Sequence, residues 1–406
     1  MPSYTPIRYG NGRNTNPSLG IVESPVETAD LPDYNHKSYA LGKTGADVRV
    51  TIGGKPFLNF KQFRISRNMK SESDTFSFTG VEFPQQSSVT CGQRCRIWIG
   101  GEQVFTGFVT SLSRAFSRDG GSSFSFAGVD TLGYLRKFTA CEVWQEDATP
   151  AEVLKELARQ VPAFASFTYT GLTEALLAGP EGAQVIEDFK IDVGEEFTVV
   201  LDKIATVLDC FVCSDAAGNI SFGTSCKGGN YHRLSLGATG KNSNTVTYSV
   251  SADITDTVNE LVIVGGDLNE ITSDDDNDYQ KMLARAGVGE TESIPVTNVP
   301  DLGITRYMRS PEQNGGCSDN YSGYLRRASH SITTGYFKMD VFLAGFSDEN
   351  GLVWKMNKPV FVRNFNPRQY WLQHYQGEFI TQSVTFEYNM SSGSTTNLTL
   401  VLPESF

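Results

Sequence analysis

From Asp47 onward, apolar and polar residues alternate in short runs. Val48, Val50 and Ile52 are separated by Arg49 and Thr51, and Gly53-Gly54 follows. A period of two puts the apolar set on one face of a strand. Paired glycines supply the positive φ angles of a two-residue hairpin turn. Cys95-Arg-Ile-Trp-Ile-Gly-Gly-Glu repeats the arrangement, and alternating runs continue at Val104–Leu112 and Ser122–Val129 around Asp119-Gly120-Gly121. Residues 46–138 therefore read as a small antiparallel β-barrel or sandwich.

The pattern then changes. Thr149-Pro150-Ala151-Glu152 is a helix start, with Thr149 as cap, Pro150 in the first turn and Glu152 closing a capping box. Val153, Leu154, Leu157, Ala158 and Val161 form its apolar face. A second helix is expected from about Glu195 to Leu208, followed by a hairpin from Cys210-Phe-Val-Cys to Asn219-Ile-Ser-Phe. Residues 139–245 thus read as a small α/β insert. Strands are expected again at Thr245–Val250, Val258–Val264, Phe337–Leu343, Val360–Val362, Glu378–Tyr388 and Thr396–Leu402, with a short helix around Tyr321–Ser329. The fold class expected is mainly β: two small antiparallel β-barrels, 46–138 and 246–406, flanking a helix-containing domain. The second carries an acidic polar insertion at about 269–320. Residues 1–45, with five prolines and little apolar periodicity, read as an extended arm.

Charge narrows the function. The 406-residue chain carries a formal net charge of −12, which disfavours holding phosphate backbones or anionic membranes over its whole surface. No stretch approaches the roughly 18 apolar residues of a membrane span. The polar N-terminus lacks an apolar signal segment, so the chain is expected to be made and kept in the cytosol before assembly. Seven cysteines without such a signal read as reduced thiols.

Candidate chemistry is sparse. Gly42-Lys43-Thr44 resembles the end of a phosphate loop, but Lys37 stands where the first glycine is needed. Cys210 and Cys213, with Cys226 and His232 downstream, form the one metal-like cluster. Three residues apart in a strand, the two cysteines point to opposite faces, so they read as small buried hydrophobes rather than zinc ligands. Asp274, Asp275, Asp276 and Asp278 lack the ligand alternation of a calcium loop and read as a solvated run. His36, His232, His330 and His374 are scattered, and no GxSxG elbow occurs. No catalytic, cofactor-binding or metal residue is assigned.

The order of elements resembles the Mu-like phage baseplate hub proteins, relatives of the late-control D proteins and of the N-terminal half of VgrG-type spikes. Four passages carry the resemblance. They are Ile97-Trp-Ile-Gly-Gly-Glu-Gln-Val-Phe-Thr-Gly-Phe-Val, then Phe126-Ala-Gly-Val-Asp-Thr-Leu-Gly-Tyr-Leu, then Phe189 through Leu208 with Ser214-Asp-Ala-Ala-Gly-Asn-Ile, and finally Ala344–Trp354 onward to the C-terminal Leu398–Phe406. The resemblance implies a structural, non-enzymatic homotrimer. Each subunit would give two barrels to a pseudo-sixfold ring between a sixfold tail tube and a threefold spike. Its partners would be the tube protein, the central spike protein and other baseplate proteins, with DNA only as passing cargo and no membrane. Two other readings stand beside it. One is a tail-associated peptidoglycan hydrolase; the other is a receptor- or carbohydrate-binding tail-tip protein, for which the available aromatic platforms would be Trp98, Trp144, Trp354 and Trp371.

Overall fold

The computed structural model describes residues 48–57, 60–69, 73–81, 89–118, 121–160, 185–207, 210–223, 231–236, 244–264, 291–309, 321–364 and 377–403. The first elements are β1 Val48–Ile52, β2 Lys55–Phe57, β3 Phe60–Asn68, β4 Thr75–Val81, β5 Arg94–Ile99, β6 Glu102–Ser117 and β7 Gly121–Asp130. Then come α1 Thr131–Leu135, β8 Trp144–Ala148, α2 Pro150–Gln160, β9 Ile186–Ile191, α3 Phe197–Val207, β10 Phe211–Ser214, β11 Ile220–Gly223 and β12 His232–Leu236. The last are β13 Thr245–Ala252, β14 Glu260–Val264, β15 Thr291–Pro295, β16 Thr305–Arg309, α4 Tyr321–Tyr336, β17 Phe337–Ala344, β18 Pro359–Asn364, β19 Gly377–Asn389 and β20 Gly393–Val401. The protein is mainly β with few helices.

Alternation decides which face is buried. Cys95, Ile97 and Ile99 of β5 are fully buried, while Arg94, Arg96 and Trp98 between them are half-exposed. Phe337, Met339, Val341 and Leu343 do the same on β17. These faces share one core that includes Phe57, Phe63, Phe76, Phe78, Phe124 and Phe126. Phe78 and Phe126 are cross-strand partners whose rings stack at 5.2 Å; such pairs add about 0.5–1.5 kcal/mol beyond area burial. Both Gly-Gly turns carry positive φ, 56° and 78° at Gly53-Gly54 and 59° and 84° at Gly100-Gly101. Their hairpins lie side by side, with β1 antiparallel to β5.

The strands of the first and last regions run in one hydrogen-bonded path, β13-β17-β20-β19-β3-β4-β7-β6-β5-β1-β2, joined where β19 pairs with β3. Within this path a five-strand unit occurs twice. The order β3-β4-β7-β6-β5 is matched by β13-β17-β20-β19-β18. The β6–β7 hairpin closes at Ser117↔Gly121, and the β19–β20 hairpin closes at Asn389↔Gly393. Counting back from those closures, the ladders break at equivalent places, Val109/Ser111 and Thr381/Ser383. The first strands break at equivalent places too, Phe60/Gln62 and Thr245/Thr247. Before β5 and β18 the chain turns through positive φ at Gly92 (87°) and Asn357 (52°), whose amides stand in the same relation to Val109 and Thr381. Bulges kink a strand at a chosen point, so shared bulges give the two units the same bends. Each long strand keeps its hairpin partner, β7 or β20, on one side; on the other, β6 pairs with β5 and β19 with β18 before the bulge, and β19 pairs with β3 after it.

The remaining elements form two smaller layers. β8-β9, β10-β11 and helices α1 to α3 enclose a second core that includes Leu157, Phe189, Phe197, Leu201 and Ile220. The expected capping box is present: the Thr149 amide donates to Glu152 Oε2 at 2.9 Å and the Glu152 amide to Thr149 Oγ1 at 3.4 Å. β15-β14-β16 forms a separate three-stranded sheet with α4 against it, around Val258, Leu261, Ile263 and Leu325. β15 and β16 lie inside the stretch read as a polar insertion. α4 extends beyond the expected Ser329, and β12 runs parallel to β18 of the second unit. Arg49 covers the Trp98 ring at 4.5 Å, Trp144 lies beside Phe189, and Trp354 is buried. Among the described residues no helix is long and apolar enough to cross a membrane.

Candidate assembly surface

The duplicated unit creates one extended face. Opposite the buried rows, β13, β17, β20, β19, β3, β4, β7 and β6 turn mostly polar side chains outward across eight consecutive strands, with Phe342 and Val129 among them. One row reads Asn389, Gln62, Thr79, Ser125, Ser113, and the next Glu387, Arg64, Ser77, Ala127, Ser111. On the second unit, Ser249, Asp340 and Thr399 face the same way. The carboxylates here are occupied: Glu387 pairs with Arg64 at 3.3 Å, and Asp340 accepts a hydrogen bond from Thr399 Oγ1 at 2.8 Å. With Lys338 the four charges cancel, so the net charge of −12 is not concentrated here. Where the two units meet, Ser66 and Thr385 hydroxyls lie 3.0 Å apart across the β3–β19 seam.

A polar junction fixes the insert against this sheet. The tip of the β10–β11 hairpin, Ser214–Asn219, docks on the first unit. Thr106 Oγ1 and Gln103 Nε2 donate to the Ala216 carbonyl at 2.8 and 3.0 Å, and Thr131 Oγ1 donates to the Gly218 carbonyl at 2.7 Å. Gly218 has φ +88°, and a Cβ there would meet Thr106 Cγ2 at 2.6 Å. A side chain would thus be strained and would clash. Beneath the tip, Arg67 donates to Asp74 Oδ2 at 2.8 Å and to the Val104 and Ser214 carbonyls. Asp130 caps α1 by accepting from the Gly133 amide at 2.9 Å. Burial, and then the nearby Asp74 carboxylate, push Asp130 up to about 7. Burial likewise raises the Cys213 thiol to about 12, far from the thiolate that nucleophilic chemistry requires.

A second buried pair orders the loop after β17. Asp348 accepts from the Asn350 and Leu352 amides at 2.8 and 2.9 Å, and its Oδ2 lies 3.2 Å from His232 Nδ1. Burial alone would raise the Asp348 pKa, but His232 and the Leu352 and Arg233 amides outweigh it and hold it low. The His232 ring lies 4.7 Å from that of Trp354.

The residues singled out in the sequence fall in separate places. Cys210 precedes β10 and joins the insert core, whereas Cys213 lies in β10 near Arg67. His232 belongs to the Asp348 pair and His330 to α4. The Gly42-Lys43-Thr44 passage, Asp274–Asp278, His36, Cys226, His374, Trp371 and the 1–45 arm lie outside the described residues. Sequence reasoning gave no role to Arg67 and Asp74. They look like ordinary strand and loop residues until the hairpin tip arrives beside them.

The first unit, without the insert, is also the part that a known family matches. Residues 47–130 match the family described as Mu phage baseplate assembly protein GpP-like, N-terminal. Gly107 and Gly128, from two of the passages that carry the resemblance, lie two rungs apart in one ladder, Gly107↔Asp130, Phe108↔Val129, Val109↔Gly128. A Cβ on Gly128 would meet the Phe108 carbonyl oxygen at 2.0 Å and the Phe76 ring at 2.5 Å.

Solved structures extend the likeness to most of the chain. The 43 kDa tail protein of prophage MuSo2 from Shewanella oneidensis aligns with TM-score 0.65 at 14% identity, covering 88% of this chain and 98% of that one. A tail protein from Neisseria meningitidis MC58 aligns with TM-score 0.65 at 17% identity, covering 87% and 95%. An E. coli type VI secretion component, described as structurally similar to T4 tail proteins gp27 and gp5, aligns with TM-score 0.51 at 8% identity, covering 87% and 76%. At these identities the likeness is one of fold. No curated protein matches the sequence. The chain therefore has a phage-tail protein fold, with a baseplate-family match over its first unit.

Proposed function

We propose that the protein is the structural hub of a phage tail baseplate, without catalytic activity. In this reading the strand sets within 46–138 and 246–406 act as paired barrel units around the 139–245 insert. Three chains close into a ring of six near-equivalent units. One side matches the sixfold tail tube and the other the threefold central spike, in the virion, after assembly in the host bacterial cytoplasm. The observation that carries this reading is the duplicated five-strand unit within one sheet. A chain that already contains two equivalent units lets threefold closure present sixfold-like surfaces.

The outward face suits a channel. Three chains of eight strands spaced about 4.8 Å apart give a backbone radius of at least roughly 18 Å. Short hydroxyl side chains leave most of that bore open. A face whose charges cancel releases no counterions from DNA, so passing DNA is neither gripped nor strongly repelled. No cofactor or metal enters the account.

The test is the mass of the purified chain together with its position in tail particles, located by a labelled antibody. Three copies at the tube–spike junction are expected. Normal tails that lose only a wall-degrading activity, after substitution of a carboxylate pair, would replace the hub reading with the hydrolase.

A further inference from the structure

The internal seam between the two units defines the contact between copies. β19 pairs with β3 from Ser383↔Asn68 to Asn389↔Gln62. By the hairpin and bulge positions, β6 is the counterpart of β19, with Ser111–Ser117 matching Ser383–Asn389. β13 is the counterpart of β3, with Ser249 matching Arg64 and Ser251 matching Ser66. Yet the post-bulge half of β6 has β7 on one side and, among the described residues, no strand on the other. β13 has β17 on one side; on the other, β12 is held near its first residue by the bond from Thr245 Oγ1 to the Ser235 carbonyl.

We propose that Ser111–Ser117 of one copy pairs antiparallel with residues 247–253 of a second copy of this chain, reproducing the β19–β3 seam. This rests on the hub reading and names the surfaces that would close its ring. The register follows from the equivalences: Ser113 opposite Ser251, Ala115 opposite Ser249 and Phe116 opposite Tyr248.

Exposure supports the same edges. In the internal seam Tyr388 stacks on Phe63 at 5.8 Å, and Met69 is 4% exposed. Their counterparts are Phe116, 81% exposed, and Ile254, 54% exposed. A second copy would lay Phe116 on Tyr248, which itself packs on the core of the second unit. Ser113 and Ser251 would repeat the hydroxyl contact of Ser66 and Thr385. Exposed strand edges recruit further strands unless blocked. Here two different edges meet head to tail, an arrangement that propagates until it closes.

The experiment is oxidative cross-linking of the full chain carrying Ser113→Cys and Ser251→Cys. Both positions lie on the outward face, so neither change touches the core. Directly opposed strand residues have Cβ atoms about 4.5–5.5 Å apart, close enough for a disulfide after small adjustment. A mild thiol oxidant takes two electrons and two protons from each thiol pair. Linked chains are expected on a non-reducing gel in the double variant, ending at a closed ring. Each single variant should give only the background of the native cysteines, of which Cys91 and Cys141 are exposed among the described residues. Phe116→Ser should weaken association by about tenfold or more while leaving the single chain folded. If the protein has the mass of three chains but the double variant links no more than the singles, this contact is wrong and the trimer stands. A single-chain mass at every concentration would overturn both.

Discussion

At the scale of single residues, the junction under the β10–β11 hairpin explains positions that alternation leaves unassigned. Gly218 combines positive φ with a Thr106 methyl where its side chain would be. Gly218→Ala is expected to cost at least about 1–3 kcal/mol through strain and overpacking, read as a lower urea midpoint. An unchanged midpoint would contradict the close approach. Asp130 makes a pH prediction. Its pKa in the folded chain, about 7, lies above the ordinary aspartate value of 3.8, so between those values the folded state holds a proton that the unfolded state has lost. The stability this group adds is full at the acidic end and is lost as pH rises through about 7. Asp130→Asn keeps an acceptor for the Gly133 amide and removes the titration. Relative to the variant, the parent should lose stability from about pH 4 to about pH 7 in urea titrations. Parallel curves over that window would show that Asp130 does not titrate there.

At the scale of elements, much of the fold was legible where one signal dominated. The alternating runs, the Gly-Gly turns and the Thr149–Glu152 capping box each follow from local chemistry, and each is present. Thr149→Ala should lower stability by about 1 kcal/mol, measured as a drop in Tm. No change would mean that α2 is held by its apolar face alone. Two strand-rich regions were expected, but their strand-by-strand equivalence was not legible, for a physical reason. Equivalent strands keep the pattern of burial but not the residues: Phe76 and Phe78 correspond to Met339 and Val341. The connection between the first two strands also differs, spanning 69–74 in one unit and 253–336 in the other. The longer one holds the β14–β16 sheet and α4; of these, β15 and β16 sit among polar residues and gave little periodic signal. The Gly-Gly likeness seen in the sequence is different, since it relates two hairpins within the first unit. The Arg67–Asp74–Asp130 cluster was hidden because its members converge only through tertiary packing.

At the scale of the whole molecule, the decisive property is that one chain already contains a seam between two equivalent units. That seam carries hydroxyl contacts, the Arg64–Glu387 pair and the Tyr388–Phe63 stack, while the matching edges of β6 and β13 display Phe116 and Ile254 to solvent. An outward face of mostly polar residues, with Phe342 and Val129 among them, runs from one unit to the other. The most direct measurement is an electron-microscopy reconstruction of the assembled protein, viewed along its axis without imposed symmetry. The account predicts three chains in a closed ring, six strand units around an open bore, and the Ser/Thr face turned inward. A ring with another number of chains, or one with that face turned outward and the bore lined by other elements, would contradict it.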